Sequence, residues 1–96
     1  MRFEWDEEKA RSNLIKHGIS FDAAVKVFDD PNRFSEIDWV VDGETRWLTV
    51  GRIGFVTVIF VAHVDQSWDD EVVVRIVSAR KADRYERQAY EQGYLG

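Results

Sequence analysis

The sequence predicts an α+β fold: a short N-terminal strand, two helices, an antiparallel four-stranded meander and a C-terminal helix. Three observations predict it. Helix signals are confined to the two ends of the chain, as apolar residues at helical spacing before Pro31 and a capping-box start at Asp83. Period-two alternation fills the middle, around the hairpin signal Asp42-Gly43. Residues 71–77, EVVVRIV, are apolar on both faces except at Arg75, which suits a strand covered on both sides. Helices set apart from an antiparallel sheet define the class.

Residues 2–5 form the short extended piece. Asp6 is an N-cap, with Glu7 and Glu8 in the first turn, where the helix dipole favours acids. Ala10, Asn13, Leu14 and His17 then fall at i, i+3, i+4, i+7, and Gly18 is the stop. That inner face is partly polar. Lys9, Asn13 and Lys16 make a neighbouring stripe, which is either solvated or turned to a substrate. Ser20 caps a second helix, in which Phe21, Ala24, Val25 and Phe28 repeat the spacing. Asp30-Pro31 ends it, because the residue before proline avoids helical geometry.

Strands follow. Phe34–Val41 leads to the Asp42-Gly43 turn. Residues 44–52 then place Glu44, Arg46, Leu48 and Val50 on one face and Thr45, Trp47 and Thr49 on the other. A turn is expected at 51–54, a β-branched and aromatic strand at 55–64, an acidic loop at 65–70 and the last strand at 71–78. Asp83, with Glu86 three residues on, resembles a capping box; the helix it starts runs to about Gln92 and stops at Gly93.

At 96 residues the chain is expected to be one domain over 1–96, and 45% hydrophobic content supplies a modest core. No long apolar window and no secretory leader is present, so a cytoplasmic protein with no membrane contact is expected. The lack of cysteine excludes disulfides, thiolate metal sites and cysteine nucleophiles. A net charge of −5 argues against a nucleic-acid partner, but residues 75–87 gather Arg75, Arg80, Lys81, Arg84 and Arg87 against Asp83 and Glu86. A basic groove on an acidic body and an ordinary solvated surface are both open.

His17 and His63 have no partner at metal-ligand spacing, so neither metal nor cofactor is expected. No phosphate-binding loop, dinucleotide fingerprint or nucleophile elbow occurs. The distinctive set is Arg46, Arg75 and Arg80, on or beside strands. Arginines converging on one face of a sheet need acids or an anion between them, and a phosphate diester suits them. The alternative is that each pairs with an acid, Arg46 with Glu44 or another and Arg75 with one from the 36–44 region. His17 either bonds a terminal carbonyl or moves a proton. His63 reads as a partly buried structural residue. Trp39, Trp47 and Trp68 lie in or near the meander, where one of them could stack on a base.

These residues resemble a known family. Phe3-x-Trp5-Asp6-x-x-Lys9-x-x-x-Asn13-x-x-Lys16-His17-Gly18-Ile19-Ser20-Phe21 resembles the opening of the BrnT toxins, and Val27-Phe28-x-Asp30-Pro31 continues it. Glu44-x-Arg46 with Gly51 fits the middle, Arg75 to Ala82 the C-terminal signature, and Glu86 to Tyr90 the helix after it. The acidic stretch 65–71 departs from the family pattern. The resemblance implies a compact RelE-like fold and a toxin of a type II toxin–antitoxin system that cleaves RNA without metal or cofactor. It implies a BrnA-type antitoxin whose ribbon-helix-helix portion binds DNA, so that DNA is contacted only indirectly. It carries Arg46, Arg75 and Arg80 over as active-site residues, with His17 and Lys9. Lys9, Lys16 and Lys81 are the expected RNA contacts; the general base is left open among His17, Lys9 and Lys81. The rival is an inactive relative that only docks an antitoxin and modulates repression.

Overall fold

The structure is a computed structural model; it describes residues 1–93, with Trp68 described through its backbone alone. Its elements are β1 (Arg2–Glu4), α1 (Glu7–His17), α2 (Phe21–Ala24), a 3₁₀ helix (Val25–Asp29), β2 (Phe34–Val41), β3 (Glu44–Ile53), β4 (Thr57–Trp68), β5 (Glu71–Lys81) and α3 (Arg84–Glu91). The strands form one five-stranded mixed sheet in the order β1-β5-β4-β3-β2. The predicted class holds and the meander is antiparallel. The difference is β1, which adds to the meander as a fifth strand, parallel to β5, with Phe3 opposite Val74.

The caps behave as read. The Asp6 carboxylate accepts from the Glu8 and Lys9 amides, and Gly18 closes α1 at φ 72°. Asp83 and Glu86 form a full capping box at α3. The second helix departs from expectation. Only Phe21–Ala24 is α-helical, and the rest tightens to 3₁₀. Three residues per turn put Val27, rather than Val25, under Ala24, and Val27 is fully buried. The turn expected at 51–54 lies at 54–56 instead, leaving Phe55 95% exposed. The expected acidic loop at 65–70 is strand to Trp68, closed by Asp69 and Asp70, both at positive φ. A two-residue turn suffices there because aspartate tolerates the left-handed region.

The sheet has a core on each side. α1, α2 and the 3₁₀ helix cover one face, burying Phe21, Ala24 and Val27 on Ile59, Val61, Val74, Ile76 and Ala79. On the other face α3 brings Tyr90 onto Val50, Val58 and Phe60. Among the described residues nothing covers that face further along. Each flanking strand is short, so part of the edges of β5 and β3 would be left unpaired. Two buried polar side chains close the gaps. Asn13 exchanges bonds with both the N–H and the C=O of Ala79 and also donates to the Ile19 carbonyl. Asp30 accepts from the Arg52 amide at 2.7 Å, from the Asn32 amide and from the Tyr90 hydroxyl. Gly51 lets that segment approach: a Cβ there would lie 3.0 Å from Val27 and 3.2 Å from the Asp30 carboxylate.

Candidate active site on the open face of the sheet

Strand register decides which side chains share the α3 side. Val50 stands opposite Phe60, which stands opposite Arg80; Leu48 stands opposite Ala62, which stands opposite Ser78; Val64 stands opposite Arg75. Arg46 lies two residues from Leu48 on the same strand and so on the same face. Arg46, Arg75 and Arg80 are therefore on one face, Arg80 against α3 and the other two past the part that α3 covers. A bulge between Ala62 and His63 keeps Ser78 and Arg75 together there, although they are three residues apart.

Their charges are used differently. Arg80 is spent on structure: it forks onto both oxygens of Glu86, each at 2.8 Å, and lies 4.7 Å over the Phe60 ring. The Glu86 bonds raise the Arg80 pKa against opposing burial; the same bonds hold the Glu86 carboxyl below its usual range, again against burial. Arg75 reaches over Val64 to Glu44 at 2.9 Å. That contact explains why Val64 is buried on an otherwise open face. Both Arg75 and Glu44 are well exposed, at 40% and 45%, so the pair is held loosely and is worth at most about 1 kcal/mol. Arg46 stacks 5.3 Å over Trp39, its neighbour on β2, and has no ion pair among the described residues.

The other predicted residues divide. Lys9, Lys16 and His17 project from α1 into a cleft of about 270 Å³ whose far wall is Val77 and Ser78 on the β5 bulge. Ser78 is on the arginine face, but neither Arg75 nor Arg80 lines the cleft, so the structure does not bring Lys9, Lys16 and His17 together with the arginines. Lys81 is not brought there: it stands opposite Ile59, on the helix-covered side, and is exposed. Trp39 is occupied by Arg46, Trp47 is half-buried on the helix side, and the Trp68 side chain lies outside the described residues.

Sequence reasoning missed two polar assemblies. His63 is buried as expected, but it bonds Asp65 through Nδ1 at 2.5 Å and Thr49 through Nε2 at 2.6 Å, and Thr49 bonds Ser35 at 2.6 Å. The i, i+2 spacing of His63 and Asp65 signals that they share a face. The second is Asp30 with Tyr90. Burial by itself would raise the Asp30 carboxyl, but bonds from Tyr90, Arg52 and Asn32 and the Arg52 charge outweigh it and hold the carboxyl low. Burial, then the bond to Asp30, pushes Tyr90 up to about 12. Nothing in the sequence pairs residues 30 and 90.

Among the described residues no helix is long and apolar enough to cross a membrane. The chain has no significant match among curated proteins. A family model described as "Ribonuclease toxin, BrnT, of type II toxin-antitoxin system" matches residues 5–86, a span that takes in α1, the whole meander and all three arginines. The chain belongs to the BrnT ribonuclease toxins of type II toxin–antitoxin systems.

Proposed function

We propose that residues 1–96 act as one toxin domain, a metal-independent endoribonuclease neutralised by a BrnA-type antitoxin. The observation that carries this reading is Arg46, a guanidinium on the open face with no acid partner among the described residues, beside the loosely held Arg75. Two such groups bind a phosphate diester bidentately and stabilise the charge that grows on it in the transition state. The 2′-OH loses its proton to a base and attacks the adjacent phosphorus. The P–O5′ bond breaks and the 5′ oxygen takes up a proton, leaving a 2′,3′-cyclic phosphate. His17 and Lys9, which share a cleft with Ser78, are the base candidates; Lys81 stands on the helix-covered side. Lys9 and Lys16 supply charge for the flanking RNA backbone. Arg80 enters only if phosphate displaces Glu86.

The test is RNA cleavage by the pure chain in EDTA, followed by analysis of the product ends. Cleavage with 2′,3′-cyclic phosphate termini is expected; cleavage that stops with EDTA and returns with a divalent cation contradicts metal independence. A specific observation favours a second reading, an inactive module that only docks an antitoxin. Arg75 and Arg80 already hold acids, on a chain of net charge −5. Growth arrest on expression, relieved by the antitoxin, separates the two, since the module is harmless.

A further inference from the structure

We infer that the free edge of β2 receives an extended basic segment of a protein partner as a sixth strand. β2 is the last strand of the sheet, and nothing pairs with its outer side among the described residues. It is also the most apolar exposed element: Ile37, Trp39, Val40 and Val41 are 58%, 52%, 59% and 39% exposed. Such an edge invites strand addition unless it is blunted; the irregularity at Asp38, between Ile37 and Trp39, breaks it there and leaves Trp39–Val41 as the regular run open to a partner. The Asp42-Gly43 turn has two residues at positive φ, the geometry in which the flanking pair Val41 and Glu44 is hydrogen-bonded. The next pair, Val40 and Thr45, is then unbonded, so the Val40 N–H and C=O point outward.

Charge selects the occupant. Glu36, Asp38 and Asp42 are exposed along the same edge. A second copy pairing edge to edge would set these acids against themselves, and RNA would meet them with its phosphates. A strand carrying Lys or Arg between apolar residues satisfies both the acids and the apolar faces. Identifying that strand as part of the antitoxin rests on the toxin reading; the chemistry of the edge does not. The position also explains neutralisation. Trp39 stands opposite Arg46 and beneath its guanidinium, so a segment lying on β2 sits one strand from Arg46 and obstructs the arginine face.

The experiment co-purifies the chain with its antitoxin and compares amide hydrogen exchange in the complex and the free chain. Protection is expected along β2, centred on Val40. Val40→Pro removes the outward N–H and spares the β2–β3 ladder, as proline on an edge strand does. It should weaken the complex at least about tenfold. Asp38→Lys should weaken it too, and serves if the proline variant fails to fold. Free Val40→Pro should cleave RNA within about twofold of the parent, because the Val40 side chain, opposite Thr45, lies on the other face from Arg46. Protection elsewhere with β2 unchanged, parent-like binding by both variants, or a dimer of the chain alone that Val40→Pro dissolves would each overturn the inference. If the parent cleaves no RNA, the nuclease reading falls while the exchange map still decides the docking site.

Discussion

On the helix-covered face, buried polar groups are answered from within: His63 lies between Asp65 and Thr49, and Asn13 bonds both backbone groups of Ala79. On the opposite face, past Tyr90, Arg46 rests on a half-exposed tryptophan and Arg75 reaches a glutamate in solvent. The strands alternate in the same way toward both sides. What differs, among the described residues, is the cover: two helices and a 3₁₀ segment on one side, one helix of eight residues on the other. A face that is fully covered must satisfy its polar groups internally, because leaving one bare costs about 1–3 kcal/mol. A half-covered face can keep a guanidinium unspent, and an unspent cation is what an anionic substrate needs.

Substitutions can break or sharpen that contrast. The largest effect is expected at Arg46: Arg46→Ala should cut RNA cleavage by about 100-fold or more, as loss of one transition-state donor does, with the thermal midpoint nearly unchanged. Asn13→Ala should do the reverse. It strips the Ala79 N–H and C=O of their partner and should cost about 3 kcal/mol in a denaturant titration. Tyr90→Phe should cost about 1–2 kcal/mol, since Asp30 keeps its two backbone donors. The smallest effect is Glu44→Gln. Freed Arg75 should raise RNA affinity about two- to fivefold at low salt, less at high salt, with under about 1 kcal/mol of stability lost.

The pH dependence of stability has the same architecture. Asp30 and Glu86 are held below their usual range, so their contribution is complete above the unfolded carboxylate pKa of about 4 and is lost as pH falls through the lower folded values. Tyr90 holds its proton up to about 12 in the fold. An unfolded tyrosine loses it near about 10, so stability declines between those values. Tyr90→Phe should flatten that alkaline decline, which chemical unfolding across the range would measure.

Much of the fold was legible because it is written in local chemistry. Asp6, Gly18, Ser20 and the Asp83–Glu86 pair marked helix ends through backbone amides a few residues away. Val27 was missed because a 3₁₀ turn changes the period from within, with no proline or glycine to announce it. β1 was read as extended, but its parallel partner seventy residues on leaves no trace in a local pattern. The arginine face followed from alternation once the meander was assumed, and an acid from the 36–44 region does meet Arg75. Arg80 could be placed beside the strand exit, but not locked to Glu86, because the capping box alone already accounts for that glutamate. Asp30 read only as a helix stop; its tie to Tyr90 is a contact across the whole chain.

The central claim is that guanidiniums gathered on the open half-face hold the scissile phosphate. Its most direct test is the RNA cleavage rate in EDTA of Arg46→Ala combined with Arg75→Ala and Arg80→Ala, beside the parent, with unfolding curves for both. The account predicts that cleavage disappears while the variant still unfolds cooperatively, at a midpoint lowered mainly by the lost Glu86 contact and slightly by loss of the exposed Glu44 pair and the Trp39 stack. Parent-like cleavage by the folded triple variant would contradict it.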